Sequence, residues 1–363
     1  MAMAVPLEVC MNRFVEENKD LPQALRNLIA YYRSPEGSAL LDRWEGIASG
    51  KGSLFFAGMG TSEFTSRDFA GRLLSQGRLA SSFDAGELIH QDESRLPGDV
   101  LFVLTSQSGE SAEMLKLAAS GVAGDFVAIT NNEDSRLAKA AALTLPLCAG
   151  DEFTITTKTY SNNLALNRIL EGRLVGKKAA DTVLKSLEVA AAAMEKTDDP
   201  AIGAAAELLC GMNAKTEAFA FAGRVESLVS ARQCGLTYME GLKRPAASFS
   251  GGGFRHGPFE AVGPKLGLIL FRSSERTAAI VDKLAVEAAG FGSPVVVFDG
   301  CPKAPFEAVP NSIRIGVPVC SGGTGLFPVL AARSHNMLLN ALAGKIGIET
   351  GHFVHGGKVT REE

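Results

Sequence analysis

LFVLTSQSGESAEML, residues 101–115, places a strand, a loop and a helix in immediate succession. Residues 101–104 are an apolar run of the kind that forms a buried strand. Thr105-Ser106-Gln107-Ser108-Gly109 is a short hydroxyl-rich turn, and apolar spacing resumes as a helix from Ala112. A strand that feeds such a turn and then a helix N-terminus makes an anion site. The free N–H groups of the first helical turn point outward, and the helix dipole favours negative charge there. Ser106, Ser108 and Ser111 add hydroxyl donors, and Gln107 adds an amide. The loop holds no Lys or Arg, so it would bind through neutral donors. That suits a sugar phosphate better than a nucleoside triphosphate with its metal. The plainer use of the same residues is structural, with Ser108 or Ser111 as a helix N-cap and Glu110 or Glu113 closing a capping box.

The alternation of strand and helix continues on both sides of this stretch. Strands are expected at 54–57, 80–84, 126–130 and 143–147, with a tight turn at 58–62 and helices at 66–74 and 135–141. This order implies a parallel, doubly wound α/β sheet. Upstream, apolar residues recur at helical spacing from Met11 to Tyr32, with Pro22 near a helix start, so residues 1–46 read as a helical segment. Downstream, 156–194 reads as a helix pair broken weakly at 172–176, and Thr197-Asp198-Asp199-Pro200 marks a boundary. The order then repeats, with strands at 218–222, 247–249, 267–271, 294–298 and 313–315 and helices at 228–242, 278–288 and 328–343. FFAGMGTSEF (55–64) matches FAFAGRVESL (219–228), so the chain reads as a duplicated α/β unit. The expected division is 1–46 helical segment, 47–172 first domain, 173–203 helical linker, 204–345 second domain and 346–363 tail. The second half has LILFRSSERT where the first has its hydroxyl loop, so one intact anion site is expected.

Composition excludes several classes. The chain has 363 residues, 46% apolar and 21% charged, with net charge −4. That is a globular chain with room for two cores and no basic footprint for nucleic acid. No apolar run reaches membrane-spanning length, and the acidic N-terminus is not a signal peptide, so a cytoplasmic protein without a membrane partner is expected. Six scattered cysteines (Cys10, Cys148, Cys210, Cys234, Cys301, Cys320) form no CxxC pair and read as reduced core thiols. The histidines lack metal-ligand spacing, so no metal and no other cofactor is expected.

A second stretch, CGLTYMEGLKRPAASFSGGGFRHGPFE (234–260), carries chemistry. Glu240 sits on an apolar-flanked helix before a break at Lys243-Arg244-Pro245. His256 follows a glycine run and precedes Gly257-Pro258, which places it on a constrained turn. A carboxylate on a rigid element with an imidazole on a turn can move a proton between carbons and open a sugar ring. An apolar setting would raise the Glu240 pKa toward that of a working base. The alternative is structural, with Glu240 paired to Arg232, Lys243 or Arg244 and His256 a satisfied buried histidine.

Taken together, GMGTS (58–62), TSQSGES (105–111), TTKTYSNNLAL (156–166), the Gly235…FRHGP pattern ending at 258 and GKVT (357–360) fall in the order of a known family. Over residues 40–363 the chain resembles tandem sugar-isomerase (SIS) domain proteins. It is similar to the isomerase half of glucosamine-6-phosphate synthase, and to the amino-sugar-phosphate deaminases and fructosamine-6-phosphate deglycases. The resemblance implies two flavodoxin-like domains in pseudo-two-fold arrangement. It implies a phosphate cradle of Ser106, Gln107, Ser108 and Ser111. Thr61, Ser62, Thr156 and Thr157 would then contact the sugar. Glu240 becomes the base that shuttles a proton between C1 and C2, and His256 the ring-opening residue, supplied by the neighbouring subunit of a homodimer with two shared sites. Lys358 matches the tail lysine that contacts the open-chain sugar and can form a Schiff base, although the surrounding GHFVHGGKVTREE departs from the synthase pattern.

The expected activity is therefore metal-independent isomerisation of a hexose 6-phosphate, or deamination or deglycation of an amino-sugar 6-phosphate, the same proton shift with a different leaving group. Residue 2 is Ala, so no glutaminase nucleophile is expected. Two alternatives stay open: an isomerase for a sugar with another C6 anion such as a sulfonate, and a non-catalytic phosphosugar sensor. Glu240 with His256, and the lack of a helix-turn-helix segment, argue against the sensor.

Overall fold

In a computed structural model, which describes residues 12–91, 99–319 and 325–360, the chain forms two five-stranded parallel sheets flanked by helices. Three helices come first: α1 (Arg13–Lys19), α2 (Leu21–Arg33) and α3 (Pro35–Ser49). Asn12 and Ser34 cap α1 and α3 through their side chains, and prolines sit in the first turn of α2 and α3. The first sheet is β1 (Ser53–Gly58), β2 (Ala80–Asp84), β3 (Val100–Thr105), β4 (Val127–Thr130) and β5 (Leu143–Pro146), in the order β2-β1-β3-β4-β5. Helices α4 (Thr61–Ser75), α5 (Ala85–Leu88), α6 (Ala112–Ala119) and α7 (Arg136–Ala140) connect them.

The expected helix pair is α8 (Lys158–Val175) and α9 (Lys177–Ala193), and α10 (Asp199–Cys210) opens the second half. The break falls at Gly176 alone, at φ 139°. Helix α8 is buried nearly all round, polar side chains included, between α2, α4, α9 and α14 (Phe327–Lys345). The remaining elements are β6 (Ala218–Gly223), α11 (Leu228–Leu242), β7 (Ala246–Ser250), α12 (Gly251–Arg255), β8 (Leu266–Arg272), α13 (Glu275–Gly290), β9 (Val295–Asp299) and β10 (Ser312–Gly316).

The second sheet runs β7-β6-β8-β9-β10, which repeats the first strand for strand. The duplication extends to single residues. Gly58 and Gly223 end equivalent strands, and a Cβ on either would run into the backbone of Ser62 or Ser227, four residues on. Gly60 and Val225 follow at φ 50° and 51°. The inner strands β1, β3, β4, β6, β8 and β9 are apolar runs rather than alternating patterns because both sheet faces are covered by helices. One core joins the inner faces of the two halves, reaching from Phe56 and Trp44 to Phe221 and Phe298. Separate clusters fill the outer faces.

One local expectation changes: the turn at 58–62 is shorter than its sequence suggests, because α4 already starts at Thr61. His256 stands on a turn, as expected, and the glycine run before it forms the short helix α12, which Ser250 caps by accepting the Gly253 N–H at 3.0 Å. Cys234 and Cys301 are buried, Cys148 and Cys210 half-buried, and all four are free thiols; Cys10 and Cys320 lie outside the described residues. No described helix is long and apolar enough to cross a membrane.

The halves part at the loop after the central strand. Register pairs Ala57 with Leu104 and Ala222 with Leu270, so Arg272 occupies the place of Ser106. Its buried guanidinium donates to Asp299 at 2.8 Å and to Asp282 at 2.7 and 3.0 Å. Asp299 also accepts from Arg314, Cys301 N–H and Phe306 N–H, and these donors hold its carboxyl below the usual range despite burial. An ion network thus fills the second half where the first is open. Asp299→Ala leaves the buried Arg272 with Asp282 alone and strands two backbone donors, and is expected to cost about 3–5 kcal/mol in a urea titration; a loss under about 1 kcal/mol would contradict this account.

Candidate active site

Open, doubly wound α/β sheets bind ligands beyond the carboxyl ends of the strands where the strand order reverses. In the first sheet that point lies between β1 and β3, and a cavity of about 320 Å³ opens there. The first turn of α4 contributes Thr61 and Ser62, the end of β3 and the loop after it contribute residues 105–108 and Ser111, and α11 contributes Leu236 and Glu240. Thr156, Thr159 and Asn163 close one wall, and the tail adds Lys358 and Thr360.

The hydroxyl loop is built by its own backbone. Ser106 N–H donates to Ile129 O at 3.0 Å, continuing the sheet. Ser106 Oγ accepts the Gly109 N–H at 3.1 Å and lies 3.4 Å from Ser111 Oγ. Ser108 Oγ accepts the Glu110 N–H at 3.1 Å. Gly109 turns the chain at φ 65°, where any Cβ would strike the Ser135 hydroxyl. Ser111 occupies the N-cap of α6, yet its side chain caps nothing. The capping-box alternative is therefore not what is built. Glu110 turns away to bind Arg136, at 2.8 Å to its N–H and 2.7 Å to its guanidinium. Ser111 keeps its hydroxyl for the cavity.

Glu240 is half-buried in the last turn of α11. Neither Lys243 nor Arg244 pairs with its carboxylate. Lys243 is in the left-handed conformation that ends the helix, and its ammonium binds the carbonyls of Glu240 and His352. Arg244 donates to Thr216 O at 3.0 Å. Among the described residues no hydrogen bond or ion pair holds the Glu240 carboxylate. Burial raises its pKa, and the charges of Lys358 and Lys243 partly oppose that. These are the surroundings of a base rather than of a structural ion pair.

The other expected residues divide. Thr61 donates to Gln233 Oε1 at 2.8 Å, and Gln233 also reaches Thr156 O at 3.5 Å, so α11 ties both walls together. Thr157 does not line the cavity; its N–H and hydroxyl both go to the buried Glu152, at 2.8 and 3.1 Å. His256 is neither buried nor satisfied by the core. It is exposed at the C-terminal end of α12 and is absent from the cavity wall of its own chain. Lys358 reaches the cavity from the tail, 18% exposed, and donates to Glu152 Oε2 and Thr154 O, each at 2.6 Å. Sequence reading missed Glu152, Thr159, Asn163 and Glu113. The last is a buried carboxylate in the wall with one oxygen unpartnered among the described residues. The acid in AGDEF, after the last strand of the first sheet, was the available signal for Glu152. No three His, Cys, Asp or Glu side chains converge among the described residues.

Comparison with known proteins agrees with this geometry. Residues 47–170 match the SIS domain family. Arabinose 5-phosphate isomerase KpsF of Escherichia coli is 34% identical over 144 residues, 39% of this chain and 41% of that protein. The chain thus matches about two-fifths of the length of that curated relative. The C-terminal domain of glucosamine-fructose-6-phosphate aminotransferase from Francisella tularensis superposes with a TM-score of 0.80 at 17% identity, covering 96% of this chain and 100% of that one. Tagatose-6-phosphate ketose/aldose isomerase from Escherichia coli gives 0.74 at 19%, covering 98% and 99%. At these identities the likeness is one of fold, and it extends through both halves: the chain carries two tandem SIS folds.

Proposed function

We propose that this protein is a phosphosugar isomerase that moves a proton between C1 and C2 of an open-chain sugar bearing a terminal phosphate. The observation that carries the reading is the meeting, in one cavity, of a hydroxyl-lined loop and a carboxylate that, among the described residues, no hydrogen bond or ion pair holds. The phosphate docks on Ser106, Gln107, Ser108 and Ser111 and on the N–H groups of the loop. Thr61, Ser62 and Thr156 meet the sugar hydroxyls. Glu240 takes the proton from C2 of an aldose, an enediol forms, and the proton returns to C1 to give the ketose. With nitrogen on the sugar, the same shift gives an imine or enamine whose hydrolysis releases the amine. His256 of the partner subunit assists ring opening, since the chain's own His256 lies off the cavity. Supporting relatives are named for arabinose 5-phosphate and tagatose 6-phosphate, a pentose and a hexose that share the terminal phosphate.

Proton NMR in D2O tests this with a panel of pentose 5-phosphates, hexose 6-phosphates, glucosamine 6-phosphate and a 6-sulfonate sugar. The expected result is deuterium entry at C1 or C2 together with aldose–ketose exchange. Release of ammonia alongside deuterium would assign a deaminase. Binding without exchange for every sugar would overturn the reading in favour of a sensor.

A further inference from the structure

We propose that Glu152 is a positioning residue that fixes Lys358 in the cavity as an ammonium donor, so that the tail lysine acts by charge and hydrogen bonding and not as a nucleophilic amine. This rests on the isomerase reading above. Glu152 lies in the loop between β5 and α8, wholly buried and outside the cavity wall. Its Oε1 accepts the Thr157 N–H, the Thr157 hydroxyl and the Thr159 N–H, at 2.8, 3.1 and 3.0 Å. Its Oε2 accepts the Thr159 hydroxyl at 2.7 Å and the Lys358 ammonium at 2.6 Å. One carboxylate thus gathers the N-terminus of α8 and the tail.

The donors decide its charge. Burial alone would push the carboxyl up, but Lys358 and the Thr159 donors hold Glu152 below the ordinary carboxylate range. The buried carboxylate, at 2.6 Å, holds the lysine nitrogen in a charge-assisted hydrogen bond. An ammonium has no lone pair with which to attack a carbonyl. Of its three N–H groups, two are taken by Glu152 and Thr154 O. The third is left for the cavity, which Lys358 lines together with Glu240. As Glu240 removes the proton from carbon, negative charge grows on the adjacent oxygen, and a fixed ammonium is placed to share it. The tail is held in the same place from its other side: Thr360 O accepts the Ala112 N–H at 3.3 Å, on the first turn of α6 behind the hydroxyl loop.

The test does not depend on turnover. Full-length protein is acylated with acetic anhydride across a pH series, and each lysine is read by peptide mass spectrometry, in the wild type and in Glu152→Gln. Lys358 is expected to react slowly in the wild type, and Glu152→Gln, which removes the carboxylate that holds its nitrogen, to raise its reactivity near pH 8 severalfold relative to the other lysines. Unchanged reactivity of Lys358 in a folded variant overturns the proposal. Borohydride added to the wild type with its substrate gives a second arm that needs no variant: no sugar adduct on Lys358 is expected, and a reduced adduct there overturns the proposal. With an active sugar in hand, Glu152→Gln is expected to depress kcat more than it alters KM. A purely structural loss would weaken both and would not single out Lys358 for faster acylation. A wild type that turns over no sugar would defeat the isomerase reading, while the acylation result would still decide the role of Glu152.

Discussion

Glu240→Gln is expected to lower kcat by about 10²–10⁴-fold while leaving sugar-phosphate affinity within a few-fold of wild type. The substitution keeps the shape and hydrogen-bonding capacity of the side chain and removes only its basicity. The proposed phosphate contacts lie on the loop after β3, and Glu240 lies on α11, so on this reading binding and proton transfer are carried by different elements. Calorimetric titration measures the first, and deuterium entry at C1 or C2 the second. The pH profile should carry the same signature. A base works ionised, so kcat/KM is lost as pH falls through the Glu240 pKa. Burial has raised that pKa, which sets the acid limb above the ordinary carboxylate range. Lys358 opposes the shift, so Lys358→Met should move the acid limb further up in pH. Deuterium entry by Glu240→Gln at the wild-type rate would remove Glu240 from the chemistry. A limb unmoved by Lys358→Met would remove the lysine's charge from the account of that pKa.

Much of this arrangement is legible in the sequence because its determinants are local. The strand, hydroxyl turn and helix at 101–115 are contiguous, and short-range sterics and apolar spacing dictate them. The duplication was visible in two ten-residue stretches, and the structure extends it to matched glycines and matched strand order. What the sequence hid depends on contacts across the chain. Glu152 and Lys358 are 206 residues apart, and nothing near Glu152 marks it as the anchor of the tail. Thr156 and Thr157 are adjacent and alike, yet one faces the cavity and the other turns to Glu152, a choice made by the entry angle of α8. The sequence already set LILFRSSERT against the hydroxyl loop, but only the register puts Arg272 in the place of Ser106, and only the side-chain contacts show what fills that place. That exchange accounts for one open site in a duplicated chain: a buried arginine with its own carboxylates leaves no vacancy for a ligand anion.

The exposed position of His256 leads to the second large effect. If the ring-opening imidazole comes from the neighbouring subunit, each site of a two-fold dimer is built from Glu240 of one chain and His256 of the partner subunit. Glu240→Gln and His256→Ala homodimers then each lose both sites. In a mixed dimer the two lesions fall together in one site and leave the other intact. After complete exchange of equal amounts, half of the dimers are mixed and each has one working site, so about a quarter of wild-type activity should return. Isotope-labelled subunits read by native mass spectrometry would establish that exchange took place. No recovery in proven mixed dimers would place both residues in one chain, and His256 would then have to reach the cavity by a rearrangement of α12 and the Gly257 turn. Recovery near the expected value would make the dimer a requirement of the chemistry. Dilution below the dimer dissociation constant would then abolish turnover while the phosphate loop, complete within one chain, continued to bind its anion.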